Sequence, residues 1–113
     1  MDDTFDVDVQ PVDGVVHVRP TGALESPSTA ILREILEDLA ARGSSAVLDL
    51  SGLTSIDDDG VRLVLEAHAT SQRDGLGLTM LPGPPVVMRV FELAGVLPEL
   101  PFRSDAGRGV AER

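Results

Sequence analysis

The residues best suited to chemistry stand together at one point of the chain. Asp57, Asp58 and Asp59 are consecutive, and the hydroxyls of Ser51, Thr54 and Ser55 lie just before them. Adjacent carboxylates suit two tasks. They are the ligand type that Mg²⁺ prefers, and they suit the start of a helix, where unpaired N–H groups and the positive end of the dipole favour negative charge. The hydroxyls could accept a phosphoryl group, although serine and threonine at such places more often close turns or caps. Magnesium chemistry on phosphates normally adds a cationic clamp or a glycine-rich cradle. This chain has no lysine and no such cradle, and a helix start repels a cation. No catalytic residue, cofactor or metal ligand is therefore assigned, and the chain is expected not to be an enzyme. Its two histidines, His17 and His68, are far apart, with no acidic pattern completing a metal site. His17 is expected on the outer face of a strand and His68 partly buried on a helix.

The neighbouring elements follow from periodicity. Ala46 to Leu50 is a short apolar run of the kind found in strands buried on both faces. Leu53 and Ile56 are expected to anchor a loop. Val61, Val64 and Leu65 then recur at helical spacing, predicting a helix from about Asp58 to Arg73 that Gly75 ends and Asp57 caps. Upstream, Phe5, Val7 and Val9 alternate with Asp6, Asp8 and Gln10, the pattern of an edge strand, and Asp13-Gly14 turns it into a second strand over Val15–Arg19. Ser26 as cap and Pro27 as first helical residue predict a helix to about Ala41, with a stripe of Ile31, Leu32, Ile35, Leu36 and Leu39. Leu76–Leu81 reads as a further parallel strand, internal to the sheet. After the Pro82–Pro85 turn, Val86, Val87, Val90, Phe91 and Leu93 predict a third helix that Gly95 stops, with Val96 and Leu97 tucked beneath. Pro98 and Pro101 confine the last strand to Leu100–Phe102. Residues 104–113 read as a loose or weakly helical tail.

Composition limits the partners. At 113 residues, 42% apolar with three aromatics, the chain has room for one domain whose core is filled by Val, Leu, Ile and Ala. The absence of cysteine excludes disulfides and thiolate chemistry. Nine arginines against nineteen acids give a net charge of −10, which opposes nucleic acid and anionic membrane surfaces and is compatible with a basic protein surface. No apolar run is long enough to span a bilayer, and the acidic N-terminus is unlike a signal peptide, so a cytoplasmic location is expected.

Three stretches carry a resemblance. The strand ending in Asp49-Leu50, followed by Asp57-Asp58-Asp59-Gly60 and a helix, resembles the heart of the STAS domain, the fold of anti-sigma factor antagonists, where the second motif reads Asp-Ser-Ser-Gly or a close variant. Gly22-Ala23-Leu24-Glu25 resembles the family's Gly-Glu-Leu-Asp, with Ala23 and Glu25 as departures. The stretch PPVVMRVFELAGVLPELPF resembles its C-terminal half, with Val96 where leucine is usual. The resemblance runs from about Phe5 to Arg103 and implies a single α/β STAS domain over 1–113. Its core would span about 5–103, a mixed sheet of four to five strands with about four helices mainly on one face. In the family the serine after the first aspartate is phosphorylated by a partner kinase, and here Asp58 holds that place. An aspartate carries about −1 where phosphoserine carries roughly −1.5 to −2, so Asp58 is an imperfect phosphomimic.

The expectation is a regulatory protein-binding module, not switched by phosphorylation at Asp58, that contacts its partner through Ser55, Ile56, Asp57, Asp58, Asp59, Gly60 and Arg62. The resemblance implies an anti-sigma factor kinase or a STAS-containing assembly as that partner. The first alternative is an accessory subunit of a transport or stress-signalling assembly, for which an exposed apolar patch of Val86, Val87, Val90 and Leu97 would speak; the second, ranked below it, is a Mg²⁺-dependent enzyme using Asp57, Asp58 and Asp59.

Overall fold

The structure, a computed structural model, describes residues 4–103; the predicted tail lies outside the described residues. Strand β1 (Asp6–Val12) returns through a two-residue turn, Asp13 and Gly14 at φ of 54° and 85°, into β2 (Val15–Leu24). Positive φ at both central residues matches the twist of the strands they join. There follow α1 (Ser28–Ala41), β3 (Ala46–Asp49), β4 (Leu53–Ile56), α2 (Asp58–Asp74), β5 (Leu78–Leu81), α3 (Pro85–Leu93) and a 3₁₀ turn over Leu97–Glu99. The described residues thus contain three α-helices, where about four were expected.

Strand β2 organises the sheet because its ten residues are long enough to serve three partners. It pairs antiparallel with β1 along Val15–Thr21, parallel with β3 over Val16–Val18, and parallel with β4 over Gly22–Leu24. Strand β4 thus takes over β2 where β3 leaves it. Gly52 sits at this handover, and a Cβ there would stand 2.9 Å from the Pro20 carbonyl oxygen and 2.7 Å from Thr21 Cγ2, so only glycine lets the chain pass this close to β2. The loop expected around Leu53 and Ile56 is therefore a strand, although both residues are buried as anchors should be, 2% and 6% exposed. Four residues offer too short a window for the alternation to declare itself.

Beyond β3 lies β5, parallel to it from Leu78 to Leu81. On its other side β5 has only the bridge from Met80 to Phe102, so it is an outer strand and not the internal one its apolar run predicted; the short final strand is reduced to that bridge. Helix α3 packs chiefly against β4, and its Phe91 is fully buried and meets Phe102 edge to face at 5.4 Å. All three helices feed one core: Leu32 from α1, Leu63 and Val64 from α2, Val87 and Phe91 from α3, closed against Val18, Leu24, Leu48 and Met80 of the strands. Alternation sends the next strand residues the other way, and there Arg19 faces Asp49 at 3.8 Å.

Two helix readings need correction. Ser26 does not cap α1: the Ser26-Pro27 bond is cis, and the helix begins at Ser28, whose hydroxyl accepts the Glu25 N–H at 3.0 Å and reaches the carbonyls of Ala23 and Glu25 at 2.7 and 2.6 Å. On this helix Ile31 is 52% exposed, while Thr29 is buried with Leu32 on the core-facing side. On α3, Val87 is core, fully buried, while Val90 and Leu97 are half-buried. Of the apolar patch expected there, only Val86 is exposed; Leu93, which was not included in it, is 75% exposed.

Candidate partner-binding site

The site is built where β2 and β4 end side by side. Strand β4 runs on into Asp57, which keeps extended backbone angles (φ −113°, ψ −172°) and donates its N–H to the Leu24 carbonyl at 3.3 Å. Its side chain then turns inward: Asp57 Oδ1 accepts the Gly60 N–H at 3.0 Å, while its carbonyl accepts the Val61 N–H at 3.0 Å. Asp57 is therefore the N-cap of α2 that the sequence predicted, an arrangement that contributes about 1 kcal/mol.

The other two carboxylates have different surroundings. Asp59 pairs with Arg62 one turn later at 2.9 Å, an exposed contact that contributes less than about 1 kcal/mol. Asp58, the first helical residue, is exposed and forms no side-chain hydrogen bond or ion pair among the described residues. It stands where the helix dipole is most favourable to negative charge. Beneath it Gly60 and Ile56 are buried, so these two of the seven predicted contact residues support the surface and do not form it. A Cβ on Gly60 would come within 2.5 Å of Ile56 Cγ1 and 2.6 Å of the Leu24 carbonyl oxygen. Glycine is what seats α2 against the end of β2.

Ser55 is half-buried, and its hydroxyl donates to Glu25 Oε2 at 2.9 Å. That bond draws the β2–α1 loop into the site and adds an exposed acid that sequence reasoning did not include. The signal for Glu25 was present, since it ends the Gly22–Glu25 stretch, but its proximity depends on the pairing of β4 with β2. The remaining hydroxyls lie elsewhere: Thr54 is exposed on β4, and Ser51 lies near Arg19 Nε at 3.4 Å and donates its N–H to Asp49 Oδ1 at 2.9 Å. His17 is half-buried on β2, and His68 is half-buried on α2 with its Nδ1 enclosed and unpartnered. Among the described residues no cluster of three or more His, Asp or Glu side chains is spaced to hold a metal ion.

The arrangement is thus a fixed acidic rim, with Glu25, Asp57 and Asp59 tied down and Asp58 free. The family model described as Mlab, STAS domain matches residues 6–97. The chain belongs to the STAS family. Solved structures agree on the fold. An anti-sigma factor antagonist from Mycobacterium paratuberculosis is 20% identical with a TM-score of 0.80, over 88% of this chain and 86% of that one. The anti-sigma factor antagonist SpoIIAA in its unphosphorylated form is 20% identical with a TM-score of 0.70, over 90% of each chain. The murine Slc26a9 anion transporter is 21% identical with a TM-score of 0.66, over 80% of this chain but 15% of the transporter. No curated protein sequence matches the chain. No described helix of this STAS domain is long and apolar enough to cross a membrane.

Proposed function

We propose that this STAS domain is a cytoplasmic regulatory protein-binding module that presents the first turn of α2 to a basic protein surface, without catalysing a reaction. We further propose that it is not switched by phosphorylation at position 58. One observation carries the reading: of three consecutive aspartates, Asp57 is spent on the cap and Asp59 on Arg62, leaving Asp58 exposed and without a partner of its own among the described residues. A carboxylate held on a rigid helix start and unneeded by the fold is available for recognition. Its neighbours Glu25 and Asp59 extend the negative field, which favours arginine or lysine on the partner and speeds encounter more than it deepens affinity. The likeness in fold to anti-sigma factor antagonists supports a protein partner of the anti-sigma factor kinase type, and Asp58 in the place of the family's serine supports a permanently charged surface.

A second reading, an accessory subunit of a transport or stress-signalling assembly, is supported by the likeness in fold to part of the Slc26a9 anion transporter. It uses the same surface toward a different partner. The test compares wild type with Asp58→Ser and Asp58→Arg in affinity capture from the native cell, reading partners and phosphate by mass spectrometry. The expected result is one partner held by wild type and Asp58→Ser, neither chain modified, and at least a tenfold loss of capture with Asp58→Arg. A partner that Asp58→Arg holds as well as wild type does would remove Asp58 from the interface. Phosphate on the serine form, from a kinase that ignores wild type, would show instead that the native chain is locked in a phospho-like state.

A further inference from the structure

Two apolar features of the helical layer lie outside the Asp58 surface, and they are complementary. On α3, Val86 and Leu93 stand seven residues apart on one face, 58% and 75% exposed, with half-buried Val90 between them. At 1.5 Å per residue they form a ridge about 10 Å long. Arg89 flanks the ridge, exposed and without an ion pair among the described residues. Between the C-terminal halves of α1 and α2 lies a groove of about 370 Å³ whose walls include Leu36, Ala40, Leu63, Ala67, Leu76 and Leu78. It follows α2 from Leu63 to Asp74, roughly 16 Å of helix, which accommodates the ridge. At its rim Arg33 is paired with Glu66 at 3.0 Å and Arg73 with Asp74 at 3.4 Å. Glu37 is the rim acid left exposed, with no ion pair among the described residues.

We propose that the groove receives α3 of a second copy of this chain, with Val86 and Leu93 entering it and Arg89 meeting Glu37 of the other copy. The fit is of one side-chain ridge into the channel between two helices, and Arg89, which lies nearer the ridge line than the exposed Glu92 of the same helix, is opposite in sign to Glu37. Ridge and groove are different surfaces, so every copy offers both, and the contact is heterologous. The net charge of −10 opposes association, but over a screening length of about 8 Å at 0.15 M salt only charges near the contact matter.

Sedimentation velocity of the full chain at about 0.15 M salt and up to about 1 mM protein tests this. Wild type is expected to gain mass with concentration, and Leu93→Glu to weaken association at least tenfold. Glu37→Arg and Arg89→Glu should each associate at least tenfold more weakly than wild type, because like charges then face each other. An equimolar mixture of those two variants should recover association, since the arginine introduced on the groove of one then meets the native arginine's replacement, a glutamate, on the ridge of the other. All the positions substituted are on the surface, and circular dichroism checks that each variant is folded. A wild type that sediments as a monomer throughout overturns the proposal. So does failure of the mixture to associate.

Discussion

Substituting Gly60 by alanine probes the junction that holds Asp58 in place. The added Cβ would lie 2.5 Å from Ile56 Cγ1, 3.2 Å from its Cδ1 and 2.6 Å from the Leu24 carbonyl oxygen. Neither neighbour can yield cheaply. Ile56 is 6% exposed and packed into the core, and the Leu24 carbonyl accepts the N–H of Asp57, the residue that caps α2. Forcing a methyl group into such a site costs about 1–3 kcal/mol, and alanine's better helix propensity offsets up to about 1 kcal/mol of that. The net loss should be about 1–2 kcal/mol, which for a domain of this size lowers the midpoint of thermal unfolding by roughly 4–8 °C. The chain has no tryptophan or tyrosine, so unfolding is best followed by far-ultraviolet circular dichroism. Gly60→Ala should also weaken partner capture, because relief of the clash displaces the first turn of α2. A variant as stable as wild type would refute the reasoning, since it would mean that α2 does not sit against the end of β2 at this distance.

Four other outcomes follow from the same structure. Asp57→Ala should lose about 1 kcal/mol, and Asp57→Asn much less because asparagine caps nearly as well; urea midpoints separate the two. Asp58→Ser should change stability by less than about 1 kcal/mol, the size of an exposed charge–dipole term, so any large effect on partner binding is then an effect on the interface. Phe91→Ala should cost about 3–5 kcal/mol for its buried volume, a large share of the stability of an ordinary domain, and its urea midpoint should fall accordingly. A double-mutant cycle on Arg33 and Glu66, paired at 3.0 Å between α1 and α2 but 34% and 51% exposed at the side chain, should return a coupling below about 1 kcal/mol.

What the sequence disclosed about the fold divides by the range of the cause. The hairpin at Asp13-Gly14, the cap at Asp57 and the stop at Gly75 are set by residues within a few positions of one another, and they stand where turn and cap chemistry put them. The features that were misread depend on contacts remote in sequence. Strand β4 is defined by its pairing with β2, about thirty residues earlier. The phase of α1 is set by Leu32 packing into the shared core with residues distant in sequence such as Leu63 and Val64, which leaves Ile31 outside. Strand β5 reads as internal because it is apolar on both faces, yet its outer side has only the Phe102 bridge.

The same distinction separates what could be read of the site. Three consecutive acids before an apolar helical pattern announce a helix start, and the spacing alone selects Asp57 as its cap. Their division into a cap, an ion pair and a free carboxylate could not be read in the same way. It requires Gly60 to bring the first turn against β2, Arg62 to point back at Asp59, and Ser55 to hold Glu25 alongside. Once those ties are made, Asp58 is the carboxylate whose removal the fold should scarcely notice. A residue that stability does not require, held in a fixed position by residues that stability does require, is where an effect on binding is most cleanly attributed to recognition. That argument holds whether the partner resembles an anti-sigma kinase or a subunit of a larger assembly, because it depends on the rim and not on what meets it.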